Sequence, residues 1–128
     1  MIRIHTDKAP AAVGPYSQAI VSHGMVYTSG QIAIDPETNT VTGTTIEEQT
    51  EQIMKNLGAV LAEASSGFEM AVKTTCFLAD MNDFAAFNEI YGRYFISLPA
   101  RSCVAVKTLP KGVLAEVEVI AEVSDYSY

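Results

Sequence analysis

The strongest chemical signal in the sequence is Arg101, which stands in the segment Pro99-Ala100-Arg101-Ser102-Cys103 at the start of an apolar stretch. A guanidinium that enters a buried strand is costly unless an anion pairs with it. One interpretation is structural: a carboxylate of the same chain forms a salt bridge, or the side chain reaches water. The other is a binding site for a substrate carboxylate, which the planar guanidinium matches with two parallel hydrogen bonds. From the residues alone, the structural interpretation is favoured.

Two carboxylates, Glu116 and Glu118, alternate with apolar residues, so both side chains are expected on one face of a predicted strand. Whether Arg101 shares that face depends on a hairpin predicted between the last two strands. A two-residue loop at Pro110-Lys111 would place Arg101 on the face of the glutamates, whereas a bulge at Gly112 would place it on the opposite face. A site between two subunits would remove this requirement. For one of the glutamates we expect only exposure to water.

The remaining polar candidates carry weaker signals. Cys103 has no histidine near it in sequence, so we interpret it as a small core or pocket-wall residue and reject covalent catalysis. The segments Gly14-Pro15-Tyr16 and Thr28-Ser29-Gly30-Gln31 offer hydroxyl and backbone N–H groups, with turn formation as the default explanation. His5 and His23 have no Cys, Asp or Glu partners at metal-ligand spacing, so no metal site is predicted.

Two amphipathic helices are predicted to position these residues. The first begins at a capping box, Thr45-x-x-Glu48, and ends at Ser65-Ser66-Gly67. Its apolar face comprises Ile46, Ile53, Met54, Leu57, Val60, Leu61 and Ala64. The second is capped by Asp80 or Asn82, and its apolar face comprises Phe84, Phe87, Ile90, Tyr91, Tyr94 and Phe95. Helices with one apolar face each are expected to cover one side of a sheet.

Six strands are predicted, at residues 2–5, 17–21, 25–29, 72–78, 102–106 and 114–123. Ser22-His23-Gly24 favours a hairpin between the second and third strands. There is no linker and no repeat, so we predict a single domain over residues 1–128, of the α+β class with a mostly antiparallel sheet. Two strands, 72–78 and 114–123, have apolar or uncharged residues on both sides, which favours burial of the second sheet face against other copies of the chain. The pattern does not give their number.

Composition narrows the function classes. Acidic residues outnumber basic ones, 15 to 8, for a formal net charge of −7, and the basic residues are scattered, which argues against nucleic-acid binding. No apolar run is long enough to cross a bilayer, and residues 1–10 lack the apolar centre of a signal peptide. The two cysteines are too few for a disulfide scaffold, so a reducing, cytoplasmic location is expected.

Six segments together carry a family resemblance that no single one of them could. They are residues 9–19 (APAAVGPYSQA), Thr28-Ser29-Gly30-Gln31, Lys73-Thr74-Thr75, Asn82-Asp83-Phe84 with Asn88, Pro99-Ala100-Arg101-Ser102-Cys103-Val104, and Glu116-Val117-Glu118. In this order and spacing they resemble the Rid (YjgF, L-PSP-type) family of reactive-intermediate imine deaminases. The resemblance covers nearly the whole chain.

The resemblance implies a chorismate-mutase-like α+β fold in which two helices pack on one face of the sheet. It also implies a homotrimer, built as a trimeric barrel with three clefts between subunits. The implied activity is hydrolysis of the reactive 2-imino acids 2-iminobutanoate and 2-iminopropanoate to ketoacids and ammonia, without a cofactor.

The resemblance also assigns roles by position. Arg101 corresponds to the arginine that binds the substrate carboxylate, and Glu116 to the acidic residue that positions water or protonates nitrogen. The positions that match the substrate pocket are Tyr16, Ser29, Gly30, Asn88, Arg101 and Cys103. Glu118 has no such match.

Two features depart from the family pattern. The connection over residues 91–99 is short, and Ala105 stands where an acidic residue is frequent. Both concern the substrate range and leave Arg101 and Glu116 untouched. Two rival functions remain open: an endoribonuclease or translation inhibitor, and a non-catalytic protein that binds a small carboxylate in the same cleft.

Overall fold

The fold is described from a computed structural model, over residues 1–124. It consists of eight strands, two α-helices and three short 3₁₀ turns. The strands are β1 (Ile2–Ile4), β2 (Ala19–Ser22), β3 (Met25–Thr28), β4 (Ile34–Asp35), β5 (Thr40–Val41), β6 (Ala71–Leu78), β7 (Ala100–Ala105) and β8 (Ala115–Glu122). The helices are α1 (Ile46–Glu63) and α2 (Phe84–Tyr94).

Six strands form one sheet in the order β1-β2-β3-β8-β6-β7, and β4 pairs with β5 separately. Every pair in the large sheet is antiparallel except β6 and β7, which are parallel. The two helices pack side by side on this sheet. The predicted α+β class, with two helices on a mostly antiparallel sheet, is therefore confirmed.

The predicted hairpin between the last two strands is wrong. Strand β7 runs parallel to one side of β6, whereas β8 pairs with the other side of β6. The segment between them crosses the end of β6, where the Val106 N–H donates to the Leu78 carbonyl and the Ala79 N–H donates to the Leu114 carbonyl. The physical reason is α2, which returns the chain from β6 to a parallel neighbour, as a helical crossover does.

Helix α1 begins as its capping box predicts. The Thr45 side chain accepts a hydrogen bond from the Glu48 N–H at 3.1 Å, and the Glu48 carboxylate accepts one from the Thr45 N–H at 3.1 Å. The helix ends at Glu63 with Ala64 as its C-cap, and Ser65 follows at a φ of 60°. All seven residues of its predicted apolar face are buried.

The start of α2 differs from its prediction. The Asp80 side chain caps a 3₁₀ turn over Met81–Asp83, by accepting from the Asn82 N–H at 2.8 Å. The α-helix itself begins at Phe84, without a side-chain cap. Asp80 is therefore a cap, but of the 3₁₀ turn that precedes α2, and neither Asp80 nor Asn82 caps the α-helix itself.

The turn predicted at Ser22-His23-Gly24 falls where expected. His23 and Gly24, at φ values of 53° and 77°, join β2 to β3, and the Ser22–Met25 pair closes the hairpin. A second turn joins the small strands β4 and β5, which were not predicted. Within residues 1–124, neither helix has the length and apolar character needed to span a bilayer.

One face of the large sheet is left without a covering layer in the single chain. On β8 the residues facing the helices are buried, while the alternate ones are only partly buried. Apolar side chains on the uncovered face include Tyr27, 45% exposed, and Val104, 47% exposed. The burial of this face against other copies of the chain stays a prediction.

Candidate active site

Arg101 lies at a cavity of about 430 Å³ between the edge strand β7 and helix α2. The cavity is lined by Asn88, Tyr91, Gly92, Phe95, Leu98, Pro99 and Arg101. The short connection after α2 forms its rim, because Leu98, 86% exposed at a φ of 53°, and Pro99 both belong to it. Two predicted site residues, Arg101 and Asn88, therefore lie in one cavity.

The Arg101 guanidinium is anchored without an ion pair. One terminal nitrogen donates a hydrogen bond of 2.6 Å to the Asn88 Oδ1. Across residues 1–124, the ion pairs within 4.0 Å involve His5 and Arg93 only, so no carboxylate of the described chain neutralises Arg101. The salt-bridge interpretation is therefore wrong for this part of the chain. What remains is a half-buried cation with hydrogen-bond donors to spare.

Glu116 lies at a second cavity, of about 570 Å³. Its lining contains the predicted site residues Tyr16, Ser29, Gly30 and Glu116, and also Glu118. Two backbone hydrogen bonds between Gln31 and Val117, at 2.9 and 3.1 Å, hold the segment after β3 beside β8. These bonds bring Gly30 next to Glu116.

Gly30 is required by the close approach of the Glu116 carboxylate. A Cβ at position 30 would lie 2.8 Å from the carboxyl carbon of Glu116, and closer still to one of its oxygens. The bare backbone at Gly30 is what allows the carboxylate to lie where it does. Predicting Gly30 as a pocket residue was consistent with this contact, although sequence spacing could not reveal it.

Burial is the main cause that raises the pKa of Glu116 above its ordinary value of 4.5, and the neighbouring negative charge of Glu118 raises it further. A carboxyl group with a raised pKa holds a proton closer to neutral pH, where it can both give and take one. The arrangement thus supplies an acid/base group in the wall of this cavity. Glu118 lies two residues further along the same face of β8.

The sheet register places the two cavities on opposite faces of the sheet. Arg101 is paired with Thr74 of β6, whose side chain faces the helices. Glu116 is paired with Phe77 of β6, three residues further on and therefore on the other face. The predicted site residues fall into two groups, and one chain does not bring Arg101 and Glu116 together.

Cys103 shares the face of Arg101, two residues along β7, and lies beside Cys76 of β6. Both are free thiols. Burial raises the pKa of Cys76 to about 12 and also raises the pKa of Cys103, although Arg101 opposes this at both. Thiols in this state are poor nucleophiles, in agreement with the rejection of covalent catalysis.

Comparison with known proteins assigns the family. A model of the family described as endoribonuclease L-PSP matches residues 6–123. The RutC family protein slr0709 of Synechocystis is 57% identical over 121 residues, covering 92% of this chain and 93% of that protein. The chain belongs to the Rid (L-PSP) family.

Two further relatives support this assignment. The mouse protein named 2-iminobutanoate/2-iminopropanoate deaminase is 49% identical over 119 residues, covering 92% of this chain and 88% of its own. The crystal structure of YyfA from Yersinia pestis, described as a protein of unknown function of the conserved Rid family, superposes with a TM-score of 0.93 at 48% identity. The match covers 95% of this chain and 98% of the YyfA chain.

Three residues at the candidate site were not assigned to it from the sequence. Phe84 and Tyr91 were predicted as apolar residues of α2, and Phe84 also belongs to one of the family segments, yet both rings lie against the Arg101 guanidinium. With Asn88 they are spaced i, i+4, i+7, which places all three on one side of the helix. That spacing is the signal that could have found them.

The third is Gln18, which is 2% exposed. Its side chain accepts from the Thr6 N–H at 2.7 Å and donates to the carbonyls of Thr6 and Pro10 at 3.0 and 2.8 Å. Pro10 and Gln18 both line the Glu116 cavity, so this one amide fixes the N-terminal wall of the cavity.

Within residues 1–124 no three His, Cys, Asp or Glu side chains lie close enough together to bind a metal ion.

Proposed function

We propose that the protein hydrolyses 2-imino acids, such as 2-iminobutanoate and 2-iminopropanoate, to the 2-ketoacid and ammonia. The observation that carries the proposal is the Arg101 guanidinium, half-buried at a cavity and without a carboxylate partner in residues 1–124. The mouse relative is named for this activity at 49% identity. A half-buried cation with free donors is suited to a small carboxylate, which it binds with two parallel hydrogen bonds.

We further propose that the complete site forms between two subunits of a homotrimer. Each chain presents an Arg101 cavity on one face of the sheet and a Glu116 cavity on the other, so two chains are needed to assemble both groups around one substrate. The uncovered sheet face, with Tyr27 and Val104 exposed, is suited to such packing. The number three follows the family resemblance.

The proposed reaction needs a group that binds the substrate carboxylate and a group that transfers protons. Arg101 holds the substrate carboxylate, and Asn88 fixes the guanidinium. Water adds to the imine carbon and the nitrogen takes up a proton, after which the carbon–nitrogen bond breaks and ammonia leaves with the ketoacid. Glu116, whose pKa is raised by burial, moves the protons in these steps, a role worth about 10²–10⁴-fold in rate.

The test is clearance of 2-iminobutanoate, generated in the assay by a threonine dehydratase. Loss of a bidentate charged contact costs several kcal/mol, so Arg101→Ala should lower the rate by about 100-fold or more. Arg93→Ala is the matched control, because Arg93 is a surface arginine of α2 paired with Glu89. The Arg93→Ala protein should clear the imine at the parental rate. An Arg101→Ala protein of unchanged assembly that clears the imine at the parental rate would rule out the proposal.

The same assay separates this activity from the two rivals. A protein that only binds a small carboxylate would need Arg101 and yet show no turnover. The family description names an endoribonuclease, but the net charge of −7 and the scattered basic residues do not favour contacts to phosphates. RNA cleavage that survives Arg101→Ala while imine clearance is absent would favour that description.

A further inference from the structure

The Arg101 guanidinium lies over two aromatic rings of α2. Its Cζ is 4.7 Å from the ring centre of Tyr91 and 5.4 Å from that of Phe84. Both distances are within the range in which a ring face attracts a cation, about 6 Å. Together with the hydrogen bond to Asn88, the rings constrain the guanidinium from three positions on one side of the helix.

Tyr91 is itself firmly fixed. Its hydroxyl shares a hydrogen bond of 2.6 Å with the Thr74 Oγ1, and its ring stacks on that of Phe95 with centres 4.5 Å apart. Tyr91 is 7% exposed and Thr74 is fully buried. Thr74 is also the residue paired with Arg101 across β6 and β7. The strand pair that carries the guanidinium therefore also fixes the ring beneath it.

A ring face holds a cation differently from a carboxylate. It attracts the positive charge without accepting the N–H donors in the guanidinium plane. Within residues 1–124, the hydrogen bond to Asn88 uses one of the five donors of Arg101 and leaves the others available to a ligand. An ion pair within the chain would occupy the same donors that a carboxylate ligand requires.

We propose that Tyr91, fixed by Thr74 and assisted by Phe84, is a positioning residue that holds Arg101 in its carboxylate-binding orientation. This inference rests on the proposed function, in which Arg101 binds the substrate carboxylate. It assigns Tyr91 a task beyond core packing: the side chain acts on substrate affinity through Arg101. A purely structural tyrosine would affect the stability of the fold and leave carboxylate affinity alone.

The experiment compares the affinity of the full-length protein for 2-oxobutanoate, the product ketoacid, by titration calorimetry. Tyr91→Leu removes the ring and should weaken binding about tenfold, which lies within the range of one cation–π contact. Tyr91→Phe keeps the ring and should bind within about threefold of the parent, although Thr74 loses its partner. If the packing of the hydroxyl in the core were what mattered, Tyr91→Phe would not retain its affinity for the ketoacid.

Phe68→Leu is the matched control, because Phe68 packs on Tyr94 and Phe95 and lies against neither Tyr91 nor Arg101. It should lower the unfolding midpoint and leave ketoacid affinity unchanged. Phe84→Leu provides a second test of the same idea on a less buried ring, and should weaken binding in the same direction as Tyr91→Leu. This variant decides the matter if Tyr91→Leu does not fold.

The outcomes distinguish the inference from the proposed function. If Arg101→Ala abolishes binding while Tyr91→Leu and Phe84→Leu bind like the parent, the positioning role is wrong and the function stands. If Arg101→Ala itself binds and turns over normally, the proposed function fails first. Equal weakening by Phe68→Leu and Tyr91→Leu would also overturn the positioning role, since general loosening of the aromatic cluster would then explain both.

Discussion

Mixing two inactive variants tests the separation of Arg101 and Glu116 directly. Because these residues lie on opposite faces of the sheet, a site that needs both must take them from different chains. Arg101→Ala chains still supply Glu116, and Glu116→Gln chains still supply Arg101. We expect each variant alone to be nearly inactive in imine clearance and their mixed assembly to recover activity.

The size of the recovery follows from counting. In a random equal mixture, half of the chains supply Arg101 and half of their neighbours supply Glu116, so about a quarter of the sites are intact. This fraction is the same for any closed ring in which each site takes one group from each of two neighbours. The assay is clearance of dehydratase-generated 2-iminobutanoate after the variants are denatured together and refolded.

A second mixture provides the control. Wild-type chains refolded with an equal amount of the Arg101→Ala, Glu116→Gln double variant should retain about a quarter of the parental activity if sites span two chains. They should retain about half if each site lies within one chain. The reasoning is refuted if the two single variants together stay as inactive as each alone while the control mixture retains half.

Three further predictions follow from local contacts. Gly30→Ala forces the Glu116 carboxylate aside and should lower imine turnover about tenfold to 100-fold with little change in the unfolding midpoint; unchanged turnover would show that the carboxylate position is not critical. Thr45→Ala removes the helix cap and should lower the free energy of unfolding by about 1 kcal/mol in urea titrations, a loss that a negligible shift in midpoint would contradict. Glu116→Gln should be more stable than the parent as pH rises from 4.5 through the raised pKa of Glu116, because the parent must then bury a charge. The difference in stability should vanish below pH 4.5. A difference that does not depend on pH would point to another cause.

Local elements could be predicted because the determinants are local. The Thr45–Glu48 capping box and the apolar face of α1 involve neighbours a few residues apart, and both are present as predicted. The alternation that places Glu116 and Glu118 on one face is equally local. In each case the residues that decide the structure stand next to one another in the chain.

Strand order could not be predicted in the same way. A turn such as Pro110-Lys111-Gly112 is compatible with a hairpin, yet here Lys111 at a φ of 56° leads the chain across the end of β6 instead. The choice depends on where α2 packs, which is a property of the whole domain. Since the faces of Arg101 and Glu116 depend on strand order, their relation was beyond the sequence pattern.

The site residues could be predicted only in part from the sequence. Arg101 stood out because a cation in an apolar strand needs an explanation, and within residues 1–124 the structure removes the salt-bridge part of the structural explanation. Tyr91 did not stand out, because an aromatic residue on a buried helix face is usually core. The contact of its ring with the Arg101 guanidinium could be predicted only if β7 were known to lie beside α2.

The Gln18 amide makes the beginning of the chain an integral part of the protein. The first residues of most domains fray, since few contacts hold them. Here the backbone at Thr6 and Pro10 is bonded to a side chain that is almost fully buried. Hydrogen exchange at the Thr6 amide should therefore be as slow as in the central strands, and removal of the first ten residues would open one wall of the Glu116 cavity to water.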